Sequence, residues 1–122
     1  MEPHYRIMRA NIPEVIVPAK TDSEKVERIL WVICGLSGLT KEQLMARSRK
    51  RELMEYRQMA GYLMCMHTGL TLKAIGYHLG NRDHSTVIHA RDTVSDLLET
   101  NAEFRNKFKT INEKLNLWKY GK

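Results

Sequence analysis

The sequence predicts an all-α protein, a small helical bundle preceded by an extended N-terminal arm. Three observations carry that expectation. Apolar residues recur at helical spacing from Val26 to Leu115, the pattern of helices with one buried face. Residues that cap helices (Thr21, Thr40, Thr71, Asp83 and Asn101) stand just ahead of those runs. All three prolines, Pro3, Pro13 and Pro18, fall in the first twenty residues and leave the rest of the chain free to be helical.

The arm is read over residues 1–21. Proline excludes a continuous helix there, and Val15-Ile16-Val17 allows at most one short edge strand. Residues 22–118 form the helical domain. Thr21 and Glu24 have capping-box spacing, with Asp22 and Ser23 as competing caps; Val26, Ile29, Leu30 and Ile33 follow until Gly35 and Gly38 break the pattern. Thr40 and Gln43 open a second, short helix bearing Leu44 and Met45. It runs into Arg47-Ser48-Arg49-Lys50-Arg51, the densest charge cluster of the chain. A longer helix carries Met59, Ala60, Leu63, Met64 and His67 on one side and ends at Gly69. Thr71 caps a short helix with Leu72, Ile75 and Leu79, after which Gly80 supplies a positive φ that Asn81 also tolerates. Asp83 caps the next helix, whose inner face is Val87, Ala90, Val94, Leu97 and Leu98. Asn101 begins the last, with Phe104, Phe108, Ile111 and Leu115 inward.

A chain of 122 residues and 14.3 kDa, 43% hydrophobic and 28% charged, has the material for one core and one domain. The formal net charge of +6 calls for a polyanionic partner. Residues 1–30 cancel at five basic against five acidic, residues 31–90 carry eight against four, and residues 91–122 seven against five. The surplus is therefore concentrated mid-chain. Cys34 and Cys65 have no ligand-like spacing and read as small apolar side chains in a reducing compartment. No stretch approaches the ~20 apolar residues of a membrane span. Met1-Glu2-Pro3-His4-Tyr5-Arg6 has no apolar run behind its charges, so a cytoplasmic, nucleoid-associated location is expected, without a membrane partner.

Two helices joined by a tight glycine-containing turn, the second longer, follow the helix-turn-helix plan, here over 71–98. In that plan the first residues of the second helix meet base edges in the major groove of double-stranded DNA. Those residues are Asp83, His84, Ser85 and Thr86. His donates to a purine N7, the hydroxyls donate or accept, the Thr86 methyl suits a thymine methyl, and Asp83 accepts from a cytosine amino group. Polar first turns also satisfy orphan N–H groups, so capping and base contact are compatible roles for Asp83.

The run Gly76-Tyr77-His78-Leu79-Gly80-Asn81-Arg82-Asp83-His84-Ser85-Thr86-Val87-Ile88-His89-Ala90 resembles the signature of the C-terminal, DNA-binding domain of DnaA, the bacterial chromosomal replication initiator. Tyr56-Arg57-Gln58-Met59-Ala60 is similar to the start of a helix in that family, and 47–51 stands where the family has its basic loop. The similarity covers roughly residues 24–115. It implies a helix-turn-helix bundle of the Trp-repressor-like kind that binds double-stranded DNA. It also implies roles. Asp83, His84, Ser85 and Thr86 match base-reading positions, and Arg49 matches the loop arginine that enters the adjacent minor groove. Arg57 and Gln58 match phosphate contacts, Leu72 and Lys73 match the backbone-facing start of the first helix of the pair, and Arg82 belongs to the same DNA-facing set. Members bind one site per domain, which implies a monomer and leaves dimerisation open.

The departures are specific. Lys73 replaces a common proline, and Tyr56 stands where proline usually begins the long helix, which should then start earlier, near Glu52. Ser85 replaces threonine, while Leu79 and Asn81 replace phenylalanine and glycine. Glu52 and Glu55 weaken phosphate attraction beside the basic loop. No G-x-x-x-x-G-K-[ST] phosphate loop occurs, so the chain resembles the reader of the initiator without its ATPase.

Rival classes fare less well. His84 and His89 are five apart and His78 lies on the preceding helix, so no histidine pair has the spacing of helical metal ligands; neither an enzyme nor a cofactor is expected. His89 reads as a packing or capping residue. Tyr56, Tyr62 and Tyr77 make no stacking platform for RNA. The 47–51 cluster suits anionic lipid, but the adjoining helices are committed to a core. The alternative function is a protein-interaction module that competes with or modulates the replication initiator or other replication proteins. Met59, Met64 and Met66 would suit an adaptable interface, although a helical core uses methionine the same way.

Overall fold

The computed structural model describes residues 21–120, with side chains as far as residue 115. Among these residues it contains α1 (Asp22–Ser37), α2 (Lys41–Met45), α3 (Arg51–His67), α4 (Leu72–His78), α5 (His84–Thr100) and α6 (Ala102–Tyr120), and no strand. The expected arm, apart from Thr21, lies outside the described residues.

Local chemistry starts most of these helices. Thr21 Oγ1 accepts from Glu24 N at 3.1 Å while Glu24 Oε1 accepts from Thr21 N at 3.2 Å. Thr40 and Gln43 repeat the reciprocal pair at 3.0 and 2.9 Å. Thr71 accepts from Ala74 N at 3.1 Å, and Asn101 Oδ1 from Phe104 N at 3.0 Å. Each such cap satisfies an orphan N–H and is typically worth ~1 kcal/mol.

Two helix ends differ from the sequence expectation, and the start of α3 falls one residue before the expected Glu52. α1 runs through Gly35, which is buried inside it, and stops at Gly38 in the left-handed region (φ 80°). α3 begins at Arg51, inside the charge cluster, on a Lys50 that offers no side-chain cap. It ends on an extended Thr68 rather than on Gly69, with the Thr68 hydroxyl donating to Met64 O at 2.7 Å.

α3 is the spine of the bundle, touching α1, α2, α4 and, most broadly, α5. Its Met59, Ala60, Leu63 and Met64 are fully buried, so for Met59 and Met64 the core reading of methionine holds; Met66 is 56% exposed. α6 lays Phe104, Phe108, Ile111 and Leu115 into the same core and packs on both α5 and α1. Tyr62 meets Phe108 edge-on, with ring centroids 5.5 Å apart. Small residues bring α3 close to the following helices: a Cβ added at Gly61 would lie 3.1 Å from Leu79 Cδ1 and 3.8 Å from Ala90 Cβ. That approach seats α4 and α5 on the scaffold.

Both cysteines behave as apolar filling. Burial pushes the Cys34 thiol up to about 11 and also raises Cys65, so both thiols stay protonated near neutrality. Among the described residues no group of His, Cys, Asp or Glu is placed to hold a metal ion, and no helix is long and apolar enough to cross a membrane.

Candidate nucleic-acid interface

The turn after α4 is built from two consecutive left-handed residues, Gly80 (φ 90°) and Asn81 (φ 60°). They reverse the chain so that Asn81 N donates to Tyr77 O at 3.2 Å and Arg82 N returns to Gly76 O at 2.8 Å. Gly76 has no side chain for a steric reason: an added Cβ would stand 2.0 Å from Arg82 O. Asp83 then caps α5, its carboxylate accepting from Ser85 N at 3.1 Å and from Ser85 Oγ at 2.9 Å. His84 Nδ1 lies 3.5 Å from the same carboxylate.

Beyond that cap the first turn of α5 is open to solvent. Asp83, His84, Ser85 and Thr86 are all exposed, while Val87 immediately after them is fully buried and anchors the helix. The Ser85 bonds, then His84, hold the Asp83 carboxyl below its ordinary value of 3.8. A carboxyl depressed on folding stabilises above that ordinary value and loses its contribution as pH falls through the folded one. The start of α5 is therefore expected to fray on acidification below about pH 3.8, seen as faster exchange of the Ser85 amide. Asp83→Asn should keep a cap there and remove the pH dependence.

The other expected site residues fall into two groups. Arg49 is exposed on the loop between α2 and α3, where Arg47 and Lys50 are exposed too; Lys73 is exposed on α4 beside a half-buried Leu72. Arg57, Gln58, Arg82 and Thr86 instead come together, lining with Met54, Leu79, His89 and Ala90 a depression of about 120 Å³ between α3 and α5.

Two residues expected at DNA are otherwise employed. Arg57 lies past the first turn of α3 and is buried; its Nε donates to Leu44 O at 2.9 Å, and Nη1 and Nη2 donate to Ser48 O at 3.4 and 3.1 Å. Arg82 donates from Nη1 to Leu79 O and to Met45 O (3.3 Å), and from Nη2 to Ala46 O at 3.0 Å. Burial, and then the neighbouring Arg82, lowers the Arg57 guanidinium from its usual value; burial and then Arg47 do the same to Arg82. Both guanidinium groups are held by carbonyls of α2 and its following loop, and Arg82 by Leu79 O as well.

The packing reading of His89 needs a correction. It is exposed, three residues after Thr86 and lining the same depression, not packed within the core. The signal was present: Val87, Ala90 and Val94 occupy the inner face, and position 89 lies off it. The acidic pair beside the loop is partly neutralised, since Glu55 is 3.5 Å from Arg51 and 3.4 Å from Lys107, whose ammonium also sits 5.0 Å over the Tyr56 ring.

A short helix, a turn through two left-handed residues and a longer helix with a solvent-facing polar first turn define a helix-turn-helix protein. The family described as the bacterial dnaA protein helix-turn-helix matches residues 26–94, more than half of the chain. The chain belongs to that family. The chromosomal replication initiator protein DnaA of Bacteroides fragilis is 35% identical over 96 residues, covering 79% of this chain and 20% of that protein. DnaA of Chlorobaculum tepidum is 34% identical over 102 residues (84% and 21%), and that of Flavobacterium psychrophilum 36% over 92 residues (75% and 19%). The chain thus spans about a fifth of the length of the relatives it matches.

Proposed function

We propose that this domain recognises a specific double-stranded DNA site, as the reader of a replication-initiator-like protein in the cytoplasm, in a regulatory or origin-binding role and without catalysis of its own. The exposed, rigidly capped first turn of α5 is the observation that carries the reading. His84, Ser85 and Thr86 meet base edges in the major groove, with the Asp83 carboxylate accepting from a base while it caps. The Ser85 proton is spent on Asp83, so Ser85 faces DNA as an acceptor. Arg49 enters the adjacent minor groove. Lys73, Leu72, Gln58 and His89 lie along the sugar-phosphate backbone, where contacts position the protein without reading sequence.

Fluorescence anisotropy tests this with duplexes carrying an initiator box, a scrambled box, and single-stranded RNA, each across a salt series. The box should be preferred, with affinity falling steeply as salt rises because several phosphates are neutralised. His84→Ala should cost ~1–3 kcal/mol of discrimination between box and scrambled duplex, while Lys73→Ala weakens both alike. Equal affinity of the parent for both duplexes overturns the reading and favours a protein-interaction module.

A further inference from the structure

α2 closes with only one bond of its own at its end, from Ala46 N to Gln43 O at 3.3 Å. No basic residue stands in its last turn, and its C-cap, Ala46, is already extended. The final carbonyls of a helix need partners from outside it. Here those partners are two guanidinium groups from remote positions. Arg57, thirteen residues beyond Leu44, takes Leu44 O and Ser48 O. Arg82, thirty-seven residues beyond Met45, takes Met45 O and Ala46 O. Four carbonyls just ahead of Arg49 are therefore held from α3 on one side and from the turn on the other.

Arg82 is also the residue before the Asp83 cap. Its Nη1 donates to Leu79 O at the end of α4, so one planar group bonds both the turn and the loop. The turn is shaped to admit it: a Cβ at Gly80 would stand 2.8 Å from Arg82 Nη1 and 2.9 Å from Met45 O. A lysine ammonium lacks the fork needed to span these acceptors.

We propose that Arg57 and Arg82 are positioning residues, a clamp that fixes the basic loop carrying Arg49 at a set offset from the first turn of α5. This rests on the DNA reading above. It makes the two groove contacts interdependent, because the loop's reach into one groove is set by the residue that launches the helix into the other. Both Nη1 hydrogens of Arg82 are used within the protein, which fixes the orientation of its guanidinium group.

The test combines Arg49→Ala with Arg82→Met and Arg82→Lys, by anisotropy on box duplex, and adds amide hydrogen exchange of the DNA-free protein. In the parent, Arg49→Ala should weaken binding about tenfold; in either Arg82 background it should cost less than about twofold. Arg82→Lys should behave like Arg82→Met. In the free protein both variants should speed exchange in residues 46–50 at least about tenfold while α6 amides stay protected. The clamp is overturned if Arg82→Lys binds as the parent does, if Arg49→Ala costs the same in every background, or if exchange at 46–50 is unmoved. Loss of α6 protection would mark global unfolding of Arg82→Met, and Arg57→Lys then carries the same comparison. A parent that does not prefer the box defeats the DNA reading, and the exchange experiment still decides whether the clamp holds the loop.

Discussion

Gly76→Ala should destabilise the domain by about 3–5 kcal/mol, the cost of a backbone clash that no side-chain rotation relieves. The new Cβ would be placed 2.0 Å from Arg82 O and 3.5 Å from Val87 Cγ2. The turn would have to open, breaking the 2.8 Å bond from Arg82 N to Gly76 O. In a domain of this size each kcal/mol lowers the melting temperature by roughly 4–8 °C, so a fall of more than about 12 °C is expected by thermal or urea unfolding. Gly69→Ala is the control. Its Cβ would meet nothing closer than Asp22 Oδ2 at 3.6 Å, and its φ is not positive. That change should be neutral or slightly stabilising through the unfolded state. Similar melting of the two variants would contradict the close approach described at Gly76.

Leu79→Ala should cost about 2–5 kcal/mol, the range for emptying a buried leucine site. Leu79 is 2% exposed and packs into the gap left by the missing side chain at Gly61, so truncation opens a cavity between α3 and the α4–α5 pair. The backbone of residue 79 would stay bonded to Ile75 O and Gly76 O, which confines the damage to packing. A second substitution separates cavity from general loosening. Gly61→Ala in the parent pushes a methyl to 3.1 Å from Leu79 Cδ1, offsetting the ~1 kcal/mol of helix propensity that alanine gains over glycine. In the Leu79→Ala background the obstruction is gone and that gain should appear. The double variant should therefore be more stable than the sum of the two single effects, by urea denaturation with unchanged m-value. Additive costs would mean that the two positions do not share a space.

Helix existence and inner faces were legible because they are local. A threonine and a glutamine three residues apart specify a capping box wherever they stand, and Phe104, Phe108, Ile111 and Leu115 can share one face only of a helix. The left-handed pair at Gly80 and Asn81 was legible for the same reason. The start of α3 was legible to within one residue, near Glu52 against the observed Arg51, but its cap was not. Lys50 leaves no capping mark, and a run of exposed charge looks alike as loop or first turn. The inward bonds of Arg57 and Arg82 were not legible because most of their acceptors are carbonyls 9 to 37 residues away, and a carbonyl has no letter in a sequence. Resemblance placed both at DNA by position. Only three-dimensional closure shows their guanidinium groups occupied within the protein.

The division of labour in the turn bears on how such a domain can change over generations. Gly76, Gly80, Arg82 and the Asp83–Ser85 pair hold the backbone, while the exposed side chains of His84, 3.5 Å from the Asp83 carboxylate, and Thr86 carry little of that burden. Substitutions at 84 and 86 can therefore accumulate with little loss of stability, and on the proposed DNA reading a lineage can drift from one preferred site to another through folded intermediates. Position 85 is less free, since any replacement must also satisfy the cap. A library randomised at 84 and 86 alone should consequently hold many well-folded members, and a library that includes 76 or 80 should hold few.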